Sequence, residues 1–493
     1  MTRLSANILT KAPAGVAIPN YDRSTLTPGI VHLGIGAFHR AHMAVYVDDL
    51  LKDHPEWAIV GASLRRPDTK EALEPQDGLF TVAVRDADGV RPRIIGSILN
   101  VLDVNTQREE LLELMASAPI RIVSLTVTEK GYCHDPATGE LDERHPDIVA
   151  DLANPTAPRS APGMVVEALA RRHAAGLMPF TVMSCDNLPS NGATVKRIII
   201  KLASLRDAAL GAWVAEHVAF PSTMVDRIVP STTDADRAEI AGLIGAEDAW
   251  PIMTEPFTQW VIEDHFPAGR PPFEQAGAEV VADVEPYERM KLRMLNGSHS
   301  TLAYLGYLAG HEHVSDAIAD PSFATLIHEM MTEEVMPTLD MPGVDLAAYR
   351  DQLLERFANP ALKHRTWQIA MDGSQKLPQR LLGTIRDRIA ADEEFFRLAL
   401  GVAGWMRYVV GIDEKGENID VRDPLALRLM AIAADAGTDP EALFQGLVGL
   451  SEVFGTDLAD NEDFGDAVVP ALDSLFEEGS AATVQAFAEA QED

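Results

Sequence analysis

The sequence predicts an α/β N-terminal domain built on a largely parallel sheet, followed by a mainly α-helical C-terminal domain. Three observations carry that prediction. The 493 residues exceed what one ordinary hydrophobic core organises, so two domains are the default. Strand-like apolar runs alternate with helical stretches over about the first 220 residues, as in sheets whose parallel strands are joined by helices. After about residue 285 the strand pattern stops, and the strong periodic segments read as helix.

Taken in order, residues 30–33 (Ile-Val-His-Leu) form the first strand, which ends at Gly34. Residues 39–51 read as a helix and residues 57–64 as the second strand. Two shorter strands at 80–84 and 93–98 suit a hairpin around Asp88-Gly89. A helix follows at 107–116. The β-branched run at 120–127 is a strand, 163–175 a helix, 179–184 a strand, and 193–217 mostly helix. Residues 224–228 and 257–262 either extend this sheet or make a mixed edge. Beyond the boundary at 285/286, residues 290–308, 323–335, 349–357, 378–410, 425–434 and 442–454 read as helices, with another near the C-terminus. The N-terminal domain is assigned nucleotide binding and the C-terminal domain substrate and catalysis.

Composition narrows the partners. With 41 basic and 75 acidic side chains, the formal charge is -34. Phosphate backbones need a basic surface, so nucleic acid is not expected. Hydrophobic residues make up 46%, enough to build cores without disulfides. The two cysteines, Cys133 and Cys185, form neither a disulfide framework nor a metal-ligand pair at structural spacing, so no metal is expected. No signal-like N-terminus and no stretch of roughly 20 apolar residues is present, which suits a cytoplasmic protein without a membrane partner.

Gly34-Ile35-Gly36 falls where a strand hands the chain to a helix. Two glycines there let the backbone approach a pyrophosphate, and the helix start supplies amide donors. The usual third glycine is absent, because His39 stands at that offset. After the second strand come Arg65, Arg66 and Asp68. An acid can hold the ribose diol of NAD, whereas arginines can accept the 2′-phosphate of NADP; the reading leans to NAD and leaves NADP open. His32, His39 and His42 are explained by local packing or solvent exposure.

The segment from Lys291 to His299 (Lys-Leu-Arg-Met-Leu-Asn-Gly-Ser-His) holds a candidate proton acceptor, an amide donor and an imidazole. On an α-helix Lys291, Asn296 and His299 stand at about 0°, 140° and 80°, at roughly 100° per residue, so each can face one cleft. A second amide, Asn187, follows a strand. Oxidation of an alcohol requires loss of a proton and of a carbon-bound hydride. A neutral lysine can take the proton, and amides can donate to the developing alkoxide. Glycine turn, base and amide clamp together point to hydride transfer.

Residues 34–42 (Gly-Ile-Gly-Ala-Phe-His-Arg-Ala-His), Thr128 to Tyr132, Ser184 to Gly192, Met224 to Ile228, Glu255 to Trp260 and Lys291 to His299 resemble the signature blocks of the mannitol dehydrogenase family, the long-chain polyol dehydrogenases. The resemblance covers nearly the whole chain. It implies a Rossmann-type N-terminal domain, a helical C-terminal domain, a nicotinamide cofactor, no metal and a monomer. It also implies residue roles. Lys291 is the general base, Asn187 and Asn296 form the oxyanion clamp, His299 supports lysine and substrate, and Glu129 provides the proton exit. Gly34, Gly36, Ala37, Phe38, His39 and Arg40 form the cofactor signature, Asp68 marks NAD preference, and Asp226 lies near the polyol. Residues 372–380 are also family-like, and Lys376 and Arg380 there are candidates for binding substrate hydroxyls.

The leading expectation is therefore a NAD-dependent polyol 2-dehydrogenase taking D-mannitol to D-fructose, with D-arabinitol and D-sorbitol as further substrates. An alternative on the same scaffold is a sugar-acid oxidoreductase interconverting D-mannonate and D-fructuronate. It needs a cation for the substrate carboxylate, with Lys376, Arg380 and Arg227 available. A third reading is a nucleotide-binding regulatory protein that has lost catalysis.

Overall fold

The computed structural model describes residues 1–86, 88–135, 138–360 and 363–489. The chain divides into two compact units, Met1–Glu285 and Pro286–Asp493. Among the described residues no helix is long and apolar enough to cross a membrane.

The strands of the first unit are β1 (Pro28–Leu33), β2 (Ala58–Ser63), β3 (Phe80–Asp86), β4 (Gly89–Ile95), β5 (Ile98–Asp103), β6 (Ile122–Leu125), β7 (Thr181–Ser184), β8 (Thr223–Asp226), β9 (Ile252–Thr254), β10 (Gln259–Glu263) and β11 (Glu279–Val281). The central sheet runs β5-β2-β1-β6-β7 and is parallel throughout. The chain builds outward from β1 to β5, then returns to β6 and β7 on the other side. The order thus reverses between β1 and β6, the position at which open α/β sheets bind ligands beyond their strand ends.

Successive residues of these strands feed two different cores, because side chains alternate across a sheet. Ile30, Ile59, Val101 and Ile122 pack with Tyr46, Val47 and Trp260. Their neighbours Val31, Val60, Leu102 and Val123 pack with Leu111, Leu112, Val165 and Ile198 from the helices on the opposite face. Each such Val or Ile stabilises the fold by roughly 1.5–3 kcal/mol relative to an exposed position. Double-sided burial is why these strands are nearly unbroken apolar runs.

The other strands form two separate three-stranded sheets, β4-β3-β9 and β11-β10-β8. The expected hairpin is present, with Phe80 opposite Ile95 and Asp86 opposite Gly89. The segments around 224–228 and 257–262 do not extend the central sheet. β10 pairs antiparallel with β8 and parallel with β11. Val225, Trp260 and Ile262 pack in the core shared with Ile30 and Ile59, so their apolar surface is buried against the central sheet's face, not along its edge. The helix expected at 39–51 breaks at His42 (φ -119°, ψ -96°) into Ala37–Ala41 and Met43–Leu50. The one at 193–217 breaks at Asp207, whose carboxylate accepts from the N–H groups of Ala209 and Leu210 and starts a new helix.

The second unit is helical. Gly297–Leu308 and Phe396–Tyr408 are its most buried helices and pack against each other. Expected residues 378–410 are not one helix; Gly383–Ala390 and Phe396–Tyr408 are separated by a loop in which Asp392 is left-handed (φ 56°). Glu334 starts the second of these by accepting from Arg397 N at 2.9 Å and Leu398 N at 2.8 Å. Three segments, Lys291–Asn296, Met330–Val335 and Pro378–Leu382, are π-helical. Such wide turns are rare and concentrate at functional sites.

Candidate functional site

Each unit contributes its own set of candidate residues. In the first, a cleft of about 830 Å³ opens at the C-terminal ends of β1, β2, β5 and β6. Gly34, Gly36, Arg65, Arg66, Thr69, Thr126 and Thr128 line one part of its wall, and Asn105, Arg108 and Arg159 add further polar groups. Gly34 is required by its backbone. It sits at φ +91°, and a Cβ there would lie 2.1 Å from the Thr126 carbonyl oxygen. Gly36 has open space, its nearest heavy atom being 3.8 Å from where a Cβ would stand. The turn is held by Gly34 N and Ile35 N donating to Ala62 O at 3.0 and 3.3 Å. A backbone that a ligand can approach closely, facing several guanidinium groups, suits a dinucleotide. Ser160, whose hydroxyl accepts from Gly163 N, caps the helix Ala161–Ala174 at the cleft wall, and a helix start favours anions.

The other signature residues stand elsewhere. Ala37, Phe38, His39, Arg40 and Asp68 are not among the cleft's lining residues. Arg40 is fully buried, donates to Trp250 O at 2.8 Å and lies over the Trp250 ring at 4.9 Å. His39 stacks on His32, ring centroids 3.4 Å apart, and neither of its ring nitrogens has a partner. His32 bonds the hydroxyls of Ser124 and Thr126, both at 2.8 Å. Burial holds both imidazoles down, His32 to about 3 and His39 well below its ordinary range. The histidine and arginine that follow the glycine turn thus pack beneath it. Asp68 opens the helix Asp68–Leu73 and is paired with Arg66.

A polar lock joins the ends of β6 and β7. Asp186 accepts from Val127 N at 2.8 Å, Thr128 N at 3.2 Å and the Tyr132 hydroxyl at 2.8 Å. Burial raises its carboxyl above the usual range. Thr128 is left-handed (φ 64°), a conformation a β-branched residue holds only when its surroundings enforce it. Glu129, exposed, follows directly, and Asn187, also exposed, follows Asp186. Asn191 extends the lock, donating to Asp186 O at 3.1 Å and Thr223 O at 2.8 Å and accepting from Thr223 N at 2.9 Å. It thereby ties the Asn187 loop to β8, which carries the buried Asp226. Sequence reasoning gave Asp186 and Asn191 no role, although both lie in the Ser184 to Gly192 signature block.

In the second unit Lys291 and His299 are buried, 6% and 7% exposed. The π-turn changes how they are presented. Gly297 N reaches back to Leu292 O, five residues earlier. That wider bonding pattern brings Asn296 closer to the Lys291 side of the helix than the α-helical offset of about 140° would. Gly297 permits a close crossing, since a Cβ there would lie 2.8 Å from Arg380 O. Arg380, on the π-turn Pro378–Leu382, donates to Ser300 Oγ at 3.1 Å and Asn296 O at 3.5 Å.

His299 packs on Phe357 at 4.7 Å and on His364 at 5.4 Å between ring centroids. Its imidazole is held well below the ordinary range by burial, then by His364, Arg356, Arg380 and Lys291. His364 is pushed down to about 4 by burial and by Lys376. The helices Leu346–Phe357 and Gly297–Leu308 and the loop at His364 therefore gather basic groups around one neutral imidazole, in a chain of formal charge -34. Lys376, on Gly373–Leu377, donates to Ile369 O at 3.2 Å and also to Met371 O. Arg227, the third candidate cation, belongs to the first unit and is committed to Ala41 O and Glu255 O. Arg356 and His364 carried no sequence signal, since they lie more than 50 positions from His299 or on unmarked helix and loop.

Two family models match most of the chain: the mannitol dehydrogenase Rossmann domain over residues 28–275 and the mannitol dehydrogenase C-terminal domain over residues 283–476. The D-mannonate oxidoreductase of Escherichia coli (strain K12) is 50% identical over 478 residues, covering 96% of this chain and 98% of that one. A mannitol 2-dehydrogenase of Aspergillus terreus is 43% identical over 489 residues, 97% of each chain. Among solved structures, Pseudomonas fluorescens mannitol 2-dehydrogenase in ternary complex with NAD and D-mannitol is 39% identical, with a TM-score of 0.88 and 99% of each chain covered.

Proposed function

The chain belongs to the mannitol dehydrogenase family, and we propose that it is a NAD-dependent dehydrogenase oxidising one secondary hydroxyl of an open-chain sugar acid, D-mannonate to D-fructuronate. The observation that carries this choice is the basic cluster around His299. A neutral polyol does not need it, whereas a carboxylate gains charge-assisted hydrogen bonds from it. The 50% identity to a D-mannonate oxidoreductase supports the same choice. D-mannitol to D-fructose is the second reading, favoured by the likeness to the mannitol complex. Arg380 and Lys376 donate to carbonyl and hydroxyl oxygens, and donors of that kind serve hydroxyls as well.

Gly34, Gly36 and the cleft's arginines fit the pyrophosphate and ribose of NAD. When bound, the nicotinamide accepts the hydride from the carbon that bears the alcohol. In the second unit, Lys291 takes the alcohol proton, a role that requires the neutral amine. Its burial excludes bulk water from that proton. Asn296 donates to the oxygen as negative charge develops on it, and His299 orients the substrate as a neutral imidazole. In the first unit, Asn187 is assigned the second amide donor, Asp226 a substrate contact and Glu129 the solvent end of the proton path. Lys376 and Arg380 hold the substrate's polar end. In reduction each proton transfer runs backwards, from the ammonium form of Lys291.

NADH absorbance with D-mannonate and D-mannitol as substrates tests the assignment. The expected kcat/KM for D-mannonate exceeds that for D-mannitol by about 10²-fold, the value of one or two charge-assisted bonds. Arg380→Gln should narrow the ratio. A reversed ratio moves the substrate to polyols, and no NAD-linked turnover on either removes the dehydrogenase reading.

A further inference from the structure

Cys133, His145 and Asp147 offer one ligand atom each, all within 4.8 Å of one another, and the hydride-transfer reading uses none of them. We propose that they form a binding site for a soft divalent cation of the zinc type, and that its occupancy obstructs the dinucleotide cleft. Thiolate, imidazole and carboxylate are the donors zinc takes, and three of them leave one position open, as in non-structural zinc sites.

The local fold brings the donors together. His134 pairs with Leu141 in an isolated bridge, and Asp142 N donates to Cys133 O at 2.9 Å. The turn continues with His145 N donating to Asp142 O at 3.0 Å. His145 then caps the helix Pro146–Ala153, its Nδ1 accepting from Asp147 N at 3.2 Å, so His145 and Asp147 flank the helix start beside the thiol. Cys133 is buried and left-handed (φ 54°). Cys133 and Asp147 both line the cleft that also contains Gly34, Gly36 and Arg65, so an ion held there sits in the cleft wall.

The charges around the thiol are mixed. Burial is the largest influence and, with Asp147, Asp151 and Asp142 acting in the same direction and Arg65 opposing, raises it to about 12. Carboxylates that oppose a lone thiolate favour a dication beside it. Binding forms the sulfur–metal bond and releases the thiol proton to solvent, so affinity weakens as pH falls.

The obstruction rests on the nucleotide reading of the cleft, and the two parts are tested separately. Equilibrium dialysis of the full chain against zinc chloride measures the site itself. His145→Asn removes the imidazole yet keeps a good helix cap. It should weaken zinc binding by more than about tenfold, since even partners that only orient a ligand contribute 10–100-fold. NADH fluorescence titration measures obstruction. Zinc should raise the Kd for NADH by about tenfold in the wild type and by less than about twofold in His145→Asn, the change expected when one ligand excludes another. Without zinc the two proteins should bind NADH alike. Equal zinc affinity in both proteins overturns the site, and bound zinc that leaves NADH affinity unchanged overturns the obstruction. Failure to bind NADH in zinc-free buffer sinks the cleft reading and with it the obstruction, while the dialysis still decides the site.

Discussion

The glycine-lined cleft of the first unit and the basic cluster of the second depend on different parts of the chain. The cleft is made largely by backbone: a left-handed Gly34, an open Gly36 and strand ends fixed by a parallel sheet. The cluster is made by side chains on separate helices, meeting at π-turns around a buried imidazole. The first should therefore fail when a Cβ is added, and the second when a charge or donor is removed.

The largest effect separates the two directly. Lys291→Ala should lower turnover by about 10²–10⁴-fold, the range for a lost general base, with the Kd for NADH nearly unchanged. Gly34→Ala should do the reverse in emphasis. Its Cβ would meet the Thr126 carbonyl, and left-handed strain for a non-glycine costs about 1–3 kcal/mol, so NADH binding and stability both fall. Near-wild-type turnover in Lys291→Ala would remove the lysine as base. An unchanged NADH Kd in Gly34→Ala would show that the turn does not carry the cofactor.

This contrast also decides what was legible in the sequence. Ile30 and Val31, or Ile122 and Val123, announce a doubly buried strand because period-two alternation into two cores leaves an apolar run. The Gly34 turn is legible for the same local reason. The π-turn at Lys291–Asn296 is not: its residues carry no local signal for wide-turn bonding, and Gly297 beside it packs close to Arg380 O, some 80 residues away. Arg356 and His364 were equally silent, and Asp186 stood in a recognised block without an assigned role: each matters through a partner that only the fold supplies. His39 and Arg40 show the opposite case. They belong to the most recognisable block of the sequence, and the structure gives them packing positions beneath the turn.

Each unit also buries a pair of neutral imidazoles, and acid should act on both. His32 is lowered to about 3 and His364 to about 4. A depressed histidine lets the unfolded chain bind more protons, so its contribution is full above about pH 6.5 and is lost as pH falls toward the folded value. At pH 4 that loss is about 3 kcal/mol for each fully depressed ring. His39→Phe keeps a ring on His32 but deletes two nitrogens that have no partner. Its thermal stability should be at least that of the wild type at pH 7 and should fall less steeply between pH 6.5 and 4. NAD-linked turnover should persist. Calorimetry across that range checks the slope, and an unchanged slope would mean that His39 is protonated in the folded state.

A smaller effect should follow from loosening the polar lock. Asp186→Asn replaces a carboxylate that accepts three bonds with a side chain that places an N–H₂ against N–H or O–H donors. Turnover should fall about tenfold, the cost of one misplaced buried bond. The KM for NAD should also rise, because Val127 and Thr128 line the cleft. Lys291→Ala should leave that KM unmoved. A variant that merely melts earlier, with both kinetic constants intact, would reduce Asp186 to a structural residue.

The mildest prediction concerns cofactor choice, where backbone and side chain meet. Arg65 and Arg66 line the cleft, and Asp68, which does not, is paired with Arg66. An exposed ion pair of this sort contributes at most about 1 kcal/mol, so freeing Arg66 costs little stability. Asp68→Ala should raise kcat/KM for NADP about five- to tenfold, because the released guanidinium can meet a 2′-phosphate and a repelling carboxylate is gone. The effect on NAD separates two roles for the acid. A several-fold loss with NAD means that Asp68 bonds the ribose diol as well as restraining Arg66. An unchanged NAD value with a gain for NADP means that it acts only through Arg66. If neither value moves, specificity lies with Asn105 and Arg108 across the cleft, and Asn105→Ala with Arg108→Ala should then shift the ratio that Asp68→Ala left alone.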